Sequence, residues 1–173
     1  LAGVLHCIET PQAGGDTLFA SQYRAYETLS DGMKEMLDGM IAVHNDTRVA
    51  GPQSGVNGKR ANRVRDDADW KPSSAEHPGV RTHPETGVRS LMAGGFATHF
   101  TNFHTPDRVR YGQDANPGAA MLLAYLTSQS FVPDYQVRWR WTPARAAIWA
   151  NHTPQHHAVT YSPPLLPHQA RAT

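Results

Sequence analysis

The residues from Asn151 to His157 read NHTPQHH, three imidazoles in seven residues, directly behind the apolar stretch Ala146 to Trp149. Neutral imidazole is the commonest protein metal ligand and titrates near physiological pH, so this segment suits metal binding or proton transfer. Along an extended strand successive side chains alternate between faces, so His156 and His157 point opposite ways and only one can face an interior. Taken alone, the cluster reads equally as surface or loop histidines, although ten histidines is a high count for 173 residues. A structural zinc site is not supported, because no four-ligand spacing is present and Cys7 is the single cysteine. The other residues with chemical potential are more scattered. Thr17 closes Gly14-Gly15-Asp16-Thr17, Phe96 follows Gly95, and Arg171 lies near the end of the chain. Without context Thr17 is a turn residue, Phe96 a core aromatic and Arg171 an exposed cation.

The elements that must position these groups are mostly strands. Val4, Leu5 and Ile8 predict a short strand ending at Thr10-Pro11. Ser21 is a helix N-cap with Tyr23, Tyr26 and Leu29 on one side, and Ser30-Asp31 opens a second helix with Met33, Met36 and Leu37 at helical spacing, ended by Gly39. Met40 to His44 reads as a strand. Ala50 to Glu76 is polar and aperiodic and reads as one long loop, a candidate lid. Val80 to His83 and Val88 to Met92 flank Pro84-Glu85-Thr86-Gly87, a hairpin signal. Asn116-Pro117 opens a helix through Met121, Leu122, Tyr125 and Leu126. Beyond Pro133, Val137, Trp139 and Trp141 alternate with Arg138 and Arg140, an apolar face against a basic, solvated one. Ala146 to Trp149, His156 to Tyr161 and Ala170 to Thr173 complete the strands. Strands with peripheral helices and no βαβ alternation predict a mainly β fold, an antiparallel sandwich or jelly roll, over a single domain spanning residues 1–173.

Composition narrows the function classes. A net charge of +1 with no basic block excludes a strong electrostatic case for nucleic acid. No apolar run approaches the ~20 residues of a membrane helix. The lone cysteine fits a reducing, cytoplasmic setting. Leu1 begins in what reads as a strand already under way, not a signal peptide.

The order of motifs is more specific than any one of them. Gly14-Gly15-Asp16-Thr17, Val80-Arg81-Thr82-His83-Pro84 with Thr86-Gly87, Gly95-Phe96, Arg138-Trp139-Arg140-Trp141, Trp149 with Asn151, Gln155-His156 and Arg171-Ala172-Thr173 follow one another along nearly the whole chain. This order resembles the taurine dioxygenase (TauD/TfdA) family of Fe(II)/2-oxoglutarate-dependent dioxygenases, in its C-terminal part. The resemblance implies a double-stranded β-helix, incomplete at the N-terminus. It implies a small-molecule substrate and a homo-oligomer, with Fe(II), the cosubstrate 2-oxoglutarate and O2 as reactants.

Carried over residue by residue, His156 matches the distal iron-ligating histidine. Thr17 matches the threonine that binds 2-oxoglutarate, Arg171 matches a carboxylate-binding arginine, and Phe96 matches an aromatic facing the substrate. A facial set of two histidines and one carboxylate leaves positions for the keto acid and O2. The other two ligands come from an HxD motif, which this sequence lacks and which alignment places about ten residues before Leu1. Pro167 stands where the first of two family arginines is expected, so Arg171 must serve the cosubstrate if it is bound. Ala150 replaces an aspartate expected to support the metal-bearing strand. The implied activity is hydroxylation of a small anionic organic substrate (a sulfonate, sulfate ester or aryloxy acid) with release of succinate and CO2. A catalytically inactive jelly-roll binding protein is the alternative. A hydrolase using His152, His156 and His157 ranks last, because no carboxylate base lies nearby. Thr101 to Asn116 is a further place for specificity.

Overall fold

Thr17–Ser21 (β2) is hydrogen-bonded along both edges, and the chain enters it through Gly14 and Gly15, whose φ angles are +76° and +72°. Those left-handed conformations cost a residue with a Cβ, which accounts for two glycines there. The computed structural model describes residues 2–11, 14–45, 73–103 and 117–159, and these divide into two compact units. One comprises Leu1–Leu29, Arg81–Leu91 and Ser128–Thr173; the other comprises Ser30–Val80 and Met92–Thr127.

In the first unit β2 is the centre of a three-stranded antiparallel sheet, flanked by Pro154–Ala158 (β10) and Gln136–Trp139 (β8). A second antiparallel pair joins Ala2–His6 (β1) to Ala146–Ala150 (β9), with Gly3 opposite Trp149 and Val4 opposite Ile148. Both of these strands alternate in exposure, so Gly3, Leu5, Ala147 and Trp149 form the covered face. Ser21 caps Gln22–Glu27 (α1), its Oγ accepting from the Arg24 N–H at 3.2 Å, as its residue type predicts. Gln22 is buried and its Nε2 donates to Ser130 Oγ at 2.8 Å, which ties α1 to the 3-10 turn Gln129–Phe131. The predicted hairpin forms from Val80–Thr82 (β5) and Arg89–Leu91 (β6), closed by the Gly87 N–H donating to His83 O.

In the second unit Ile41–Asn45 (β3) is central, between Ser74–Pro78 (β4) and Ala97–Phe100 (β7). Ser30 caps Asp31–Leu37 (α2), and Pro117–Ser128 forms α3. Leu37, Ala42, Val43, Ala97, Phe100, Leu123 and Leu126 make the core.

Several local expectations change. Residues 74–76, read as the end of a loop, belong to strand β4. The stretch Ser-Ala-Glu-His-Pro has no apolar alternation, and pairing with β3 through the backbone makes it a strand. On α3 the buried residues are Ala119, Leu123 and Leu126, while Met121 is 74% exposed and Tyr125 is exposed. That helix is apolar around most of its circumference, so periodicity could not choose its face. Met36 on α2, Val4 within β1 and Ile8 just past it are exposed. Strand β10 begins at Pro154, two residues before the expected His156, and β8 ends at Trp139, leaving Trp141 beyond it. Residues 50–72, 104–116 and 160–173, which include parts of the expected lid and specificity segment, Pro167 and Arg171, lie outside the described residues.

Candidate functional site

Antiparallel register decides which side chains of the first unit meet. His156 on β10 lies opposite Phe19 on β2, and Ala158 lies opposite Thr17. Directly opposed residues share a face, as do residues two apart on one strand. His156, Phe19 and Thr17 therefore project from the same face of the sheet. A diagonal pair of this kind is separated by about 7–8 Å, a gap that one short dicarboxylate can bridge. The same face carries Val137 and Trp139 of β8, opposite Phe19 and Thr17 respectively. His157 lies opposite Leu18, on the reverse face, and is exposed.

The second sheet closes on this face through one residue. The Trp149 ring of β9 packs edge-on to Phe19 at 5.2 Å between centroids and against His156 at 5.1 Å, while Phe19 and His156 are 6.0 Å apart. His156 remains open to solvent on its other side. Its partial burial against these rings pushes its pKa below the ordinary histidine value of 6.5. That direction favours the neutral imidazole, the form whose nitrogen lone pair can take a metal or a proton. An open, mostly apolar groove of about 340 Å³ lies where β2, β8 and β9 meet, its lining including Phe19, Val137, Trp139, Ile148 and Trp149.

Thr17 is 1% exposed, and its Oγ1 accepts a hydrogen bond from Trp141 Nε1 at 2.9 Å. The neighbouring Asp16 carboxylate pairs with Arg138 Nε at 2.6 Å on the basic face. The turn that feeds β10 is held from three directions. The Gln22 N–H donates to Thr153 O at 2.8 Å, Ser90 Oγ donates to His152 O at 3.0 Å, and the Thr153 N–H donates to Ala150 O at 3.3 Å. Ala150 sits on the exposed side of β9, away from the face that carries Trp149. Its side chain therefore leaves the packing around His156 unchanged.

Among the described residues no group of three His, Cys, Asp or Glu converges. His152 lies in the turn with its ring against His83, and His156 and His157 diverge, so the three histidines of NHTPQHH do not form one site. Among the described residues, the chain fits one imidazole corner of a facial metal site and an adjacent hydroxyl. Phe96 belongs to the second unit, in the turn before β7, and is 49% exposed.

The family model described as taurine catabolism dioxygenase TauD, TfdA family matches residues 1–173. The chain belongs to that family. It is 31% identical to an alkylsulfatase of Acinetobacter baylyi over 90% of this chain and 46% of that protein. To an alpha-ketoglutarate-dependent sulfate ester dioxygenase of Pseudomonas putida it is also 31% identical, over 91% of this chain and 49% of the other. It superposes on the crystal structure of a taurine dioxygenase from Burkholderia xenovorans with a TM-score of 0.67 and 29% identity, covering 92% of this chain and 45% of that one. The chain spans about half the length of the curated relatives it matches. Its fold is that of this TauD/TfdA chain type, mainly β with peripheral helices, in a double-stranded β-helix.

The contact that sequence reasoning missed is the one between Trp141 and Thr17. Trp141 was legible as an aromatic of the Arg-Trp-Arg-Trp segment, with a core role as its default. Its indole N–H reaches a strand 124 residues away in sequence, and no periodicity carries that information.

Proposed function

We propose that the protein carrying this chain is an Fe(II)/2-oxoglutarate-dependent dioxygenase that hydroxylates a small anionic organic molecule, a sulfonate, sulfate ester or aryloxy acid. The stoichiometry is one substrate C–H, one 2-oxoglutarate and one O2 converted to one C–OH, succinate and CO2. Bound iron supplies the activation of O2 and its coupling to decarboxylation of the keto acid. In this reading His156 provides one neutral imidazole to the metal, and the HxD pair of the family provides the rest. Thr17 Oγ1 donates to the distal carboxylate of 2-oxoglutarate, a group that needs polar partners once it leaves water. Arg171 is assigned to a carboxylate of the cosubstrate by resemblance, as Phe96 is to the substrate. The apolar groove beside Trp149 holds the organic body of the substrate. The observation that carries the reading is the shared face of His156 and Thr17. A reducing cytoplasm and a homo-oligomer belong to the same proposal; no described helix is long and apolar enough to cross a membrane.

Succinate release by the intact protein, measured across sulfonates, sulfate esters and aryloxy acids with Fe(II) and 2-oxoglutarate, tests this directly. Activity on one class, lost in His156→Ala, is the expected result. Binding of an acid with no succinate formed from any substrate would favour the inactive jelly-roll alternative.

A further inference from the structure

We propose that Trp141 is a positioning residue: by donating its indole N–H to Thr17 Oγ1, it commits the Thr17 hydroxyl proton to a ligand's anionic oxygen. This inference rests on the assignment of Thr17 to the cosubstrate made above.

The argument starts from what each group can do. An indole N–H is a donor only, whereas a threonine hydroxyl is one donor and two acceptor lone pairs. At 2.9 Å, Trp141 Nε1 must be the donor and Thr17 Oγ1 the acceptor. The hydroxyl hydrogen is then directed away from the indole. Thr17 is 1% exposed, and among the described residues its hydroxyl has no acceptor. Buried donors are rarely left unpaired, so a hydroxyl already accepting from the indole offers its proton to an acceptor such as an anionic oxygen. Accepting a hydrogen bond also polarises a hydroxyl and makes it a better donor. Without the indole, the same hydroxyl could rotate and present a lone pair, which an anion would repel.

Trp141 is itself held for this task. It lies just past β8, with its ring edge-on to Trp139 at 6.1 Å, and it lines a small cavity together with Leu5, Cys7 and Gly15. Trp139 in turn is the direct cross-strand neighbour of Thr17. The indole thus reaches back over the strand end to the hydroxyl, with its ring against Trp139.

The test uses the intact Fe(II)-loaded protein under anaerobic conditions, with calorimetric binding of 2-oxoglutarate and of 2-oxobutanoate, a keto acid without the distal carboxylate. Trp141→Phe keeps an aromatic ring and removes the N–H. It should weaken 2-oxoglutarate about tenfold, equivalent to ~1.4 kcal/mol, and leave 2-oxobutanoate unchanged. In a Thr17→Val background the same substitution should cost nothing further, which a packing role alone would not produce. Equal losses for both acids, or no loss for either, would overturn the role of Trp141 while Thr17→Val still reports on the threonine. If Thr17→Val itself leaves the preference for the dicarboxylate intact, the assignment of Thr17 fails and the proposal with it. A reading that does not require the tryptophan variant to fold comes from the wild-type protein. Its Trp141 indole proton should resist exchange and move downfield when 2-oxoglutarate binds, and a resonance indifferent to the ligand overturns the coupling.

Discussion

Substituting Gly3 by alanine tests whether the packing beside His156 is as tight as the geometry states. Gly3 lies opposite Trp149, and a Cβ built on it would stand 2.6 Å from Trp149 Cε2 and Cζ2 and 2.8 Å from Asn151 Oδ1. Carbon atoms in contact prefer roughly 3.5–4.0 Å, so the indole must retreat by about 1 Å. Its ring is packed on Phe19 and His156, so any retreat disturbs both contacts. Overpacking of this kind costs about 1–3 kcal/mol, which for a domain of this size lowers Tm by roughly 2–12 °C. Gly32→Ala is the control, since a Cβ there meets nothing within 4 Å and the residue lies inside α2. Gly32 is in the first turn of α2, so alanine there should be neutral or stabilise by less than the ~1 kcal/mol of a helix interior. Calorimetric unfolding of both variants measures the contrast. An NMR titration of His156 adds a local readout, because withdrawal of Trp149 rehydrates the imidazole and should return its pKa toward 6.5. A Gly3→Ala protein with the wild-type Tm and an unchanged His156 titration would refute the reasoning, because Trp149 would then be loosely held.

Three other outcomes follow from the same structure. The pKa of His44 is depressed by burial and then by the neighbouring His77, against a raising hydrogen bond to the Met92 backbone. The unfolded chain therefore binds the extra proton in the window between the lowered folded value and 6.5, so stability falls as pH drops through it. His44→Gln should flatten that slope in urea unfolding curves taken between pH 7.5 and 5.5. Arg138→Ala removes the 2.6 Å pair with Asp16, yet half of the arginine side chain faces solvent, so chemical denaturation should report a loss of ~1 kcal/mol or less. Ser90 is buried with its hydroxyl on His152 O, and Ser90→Ala should cost about 1 kcal/mol in the same assay. Because that bond holds the turn leading into β10, hydrogen exchange of residues 151–153 should also accelerate in this variant.

Much of the local structure was written in short-range signals. Ser21 and Ser30 cap helices because a serine oxygen accepts the free N–H groups of a first turn, and Pro117 opens α3 because its fixed φ suits that position. The opposed directions of His156 and His157 follow from strand geometry alone. The ordered motifs identify the family without any coordinates. Other features were not readable. Strand β4 exists through backbone pairing with β3, although its side chains carry no strand pattern. Of the apolar residues that marked α3, Leu126 is buried, but Met121 and Tyr125 are exposed and Leu123 turns inward in their place.

The sequence by itself determined which chemical groups are available: an imidazole after an apolar strand, a hydroxyl after a glycine turn, and tryptophans spaced between them. Those are properties of residue type and local backbone, and they act over a few neighbours. Only the tertiary structure decided that β10 and β2 pair with His156 opposite Phe19, that Trp149 packs on both, and that Trp141 donates to Thr17. Register between strands more than a hundred residues apart is set by the packing of a whole face. A slip of one residue would turn His156 away from Thr17 while leaving every local signal in the chain unchanged.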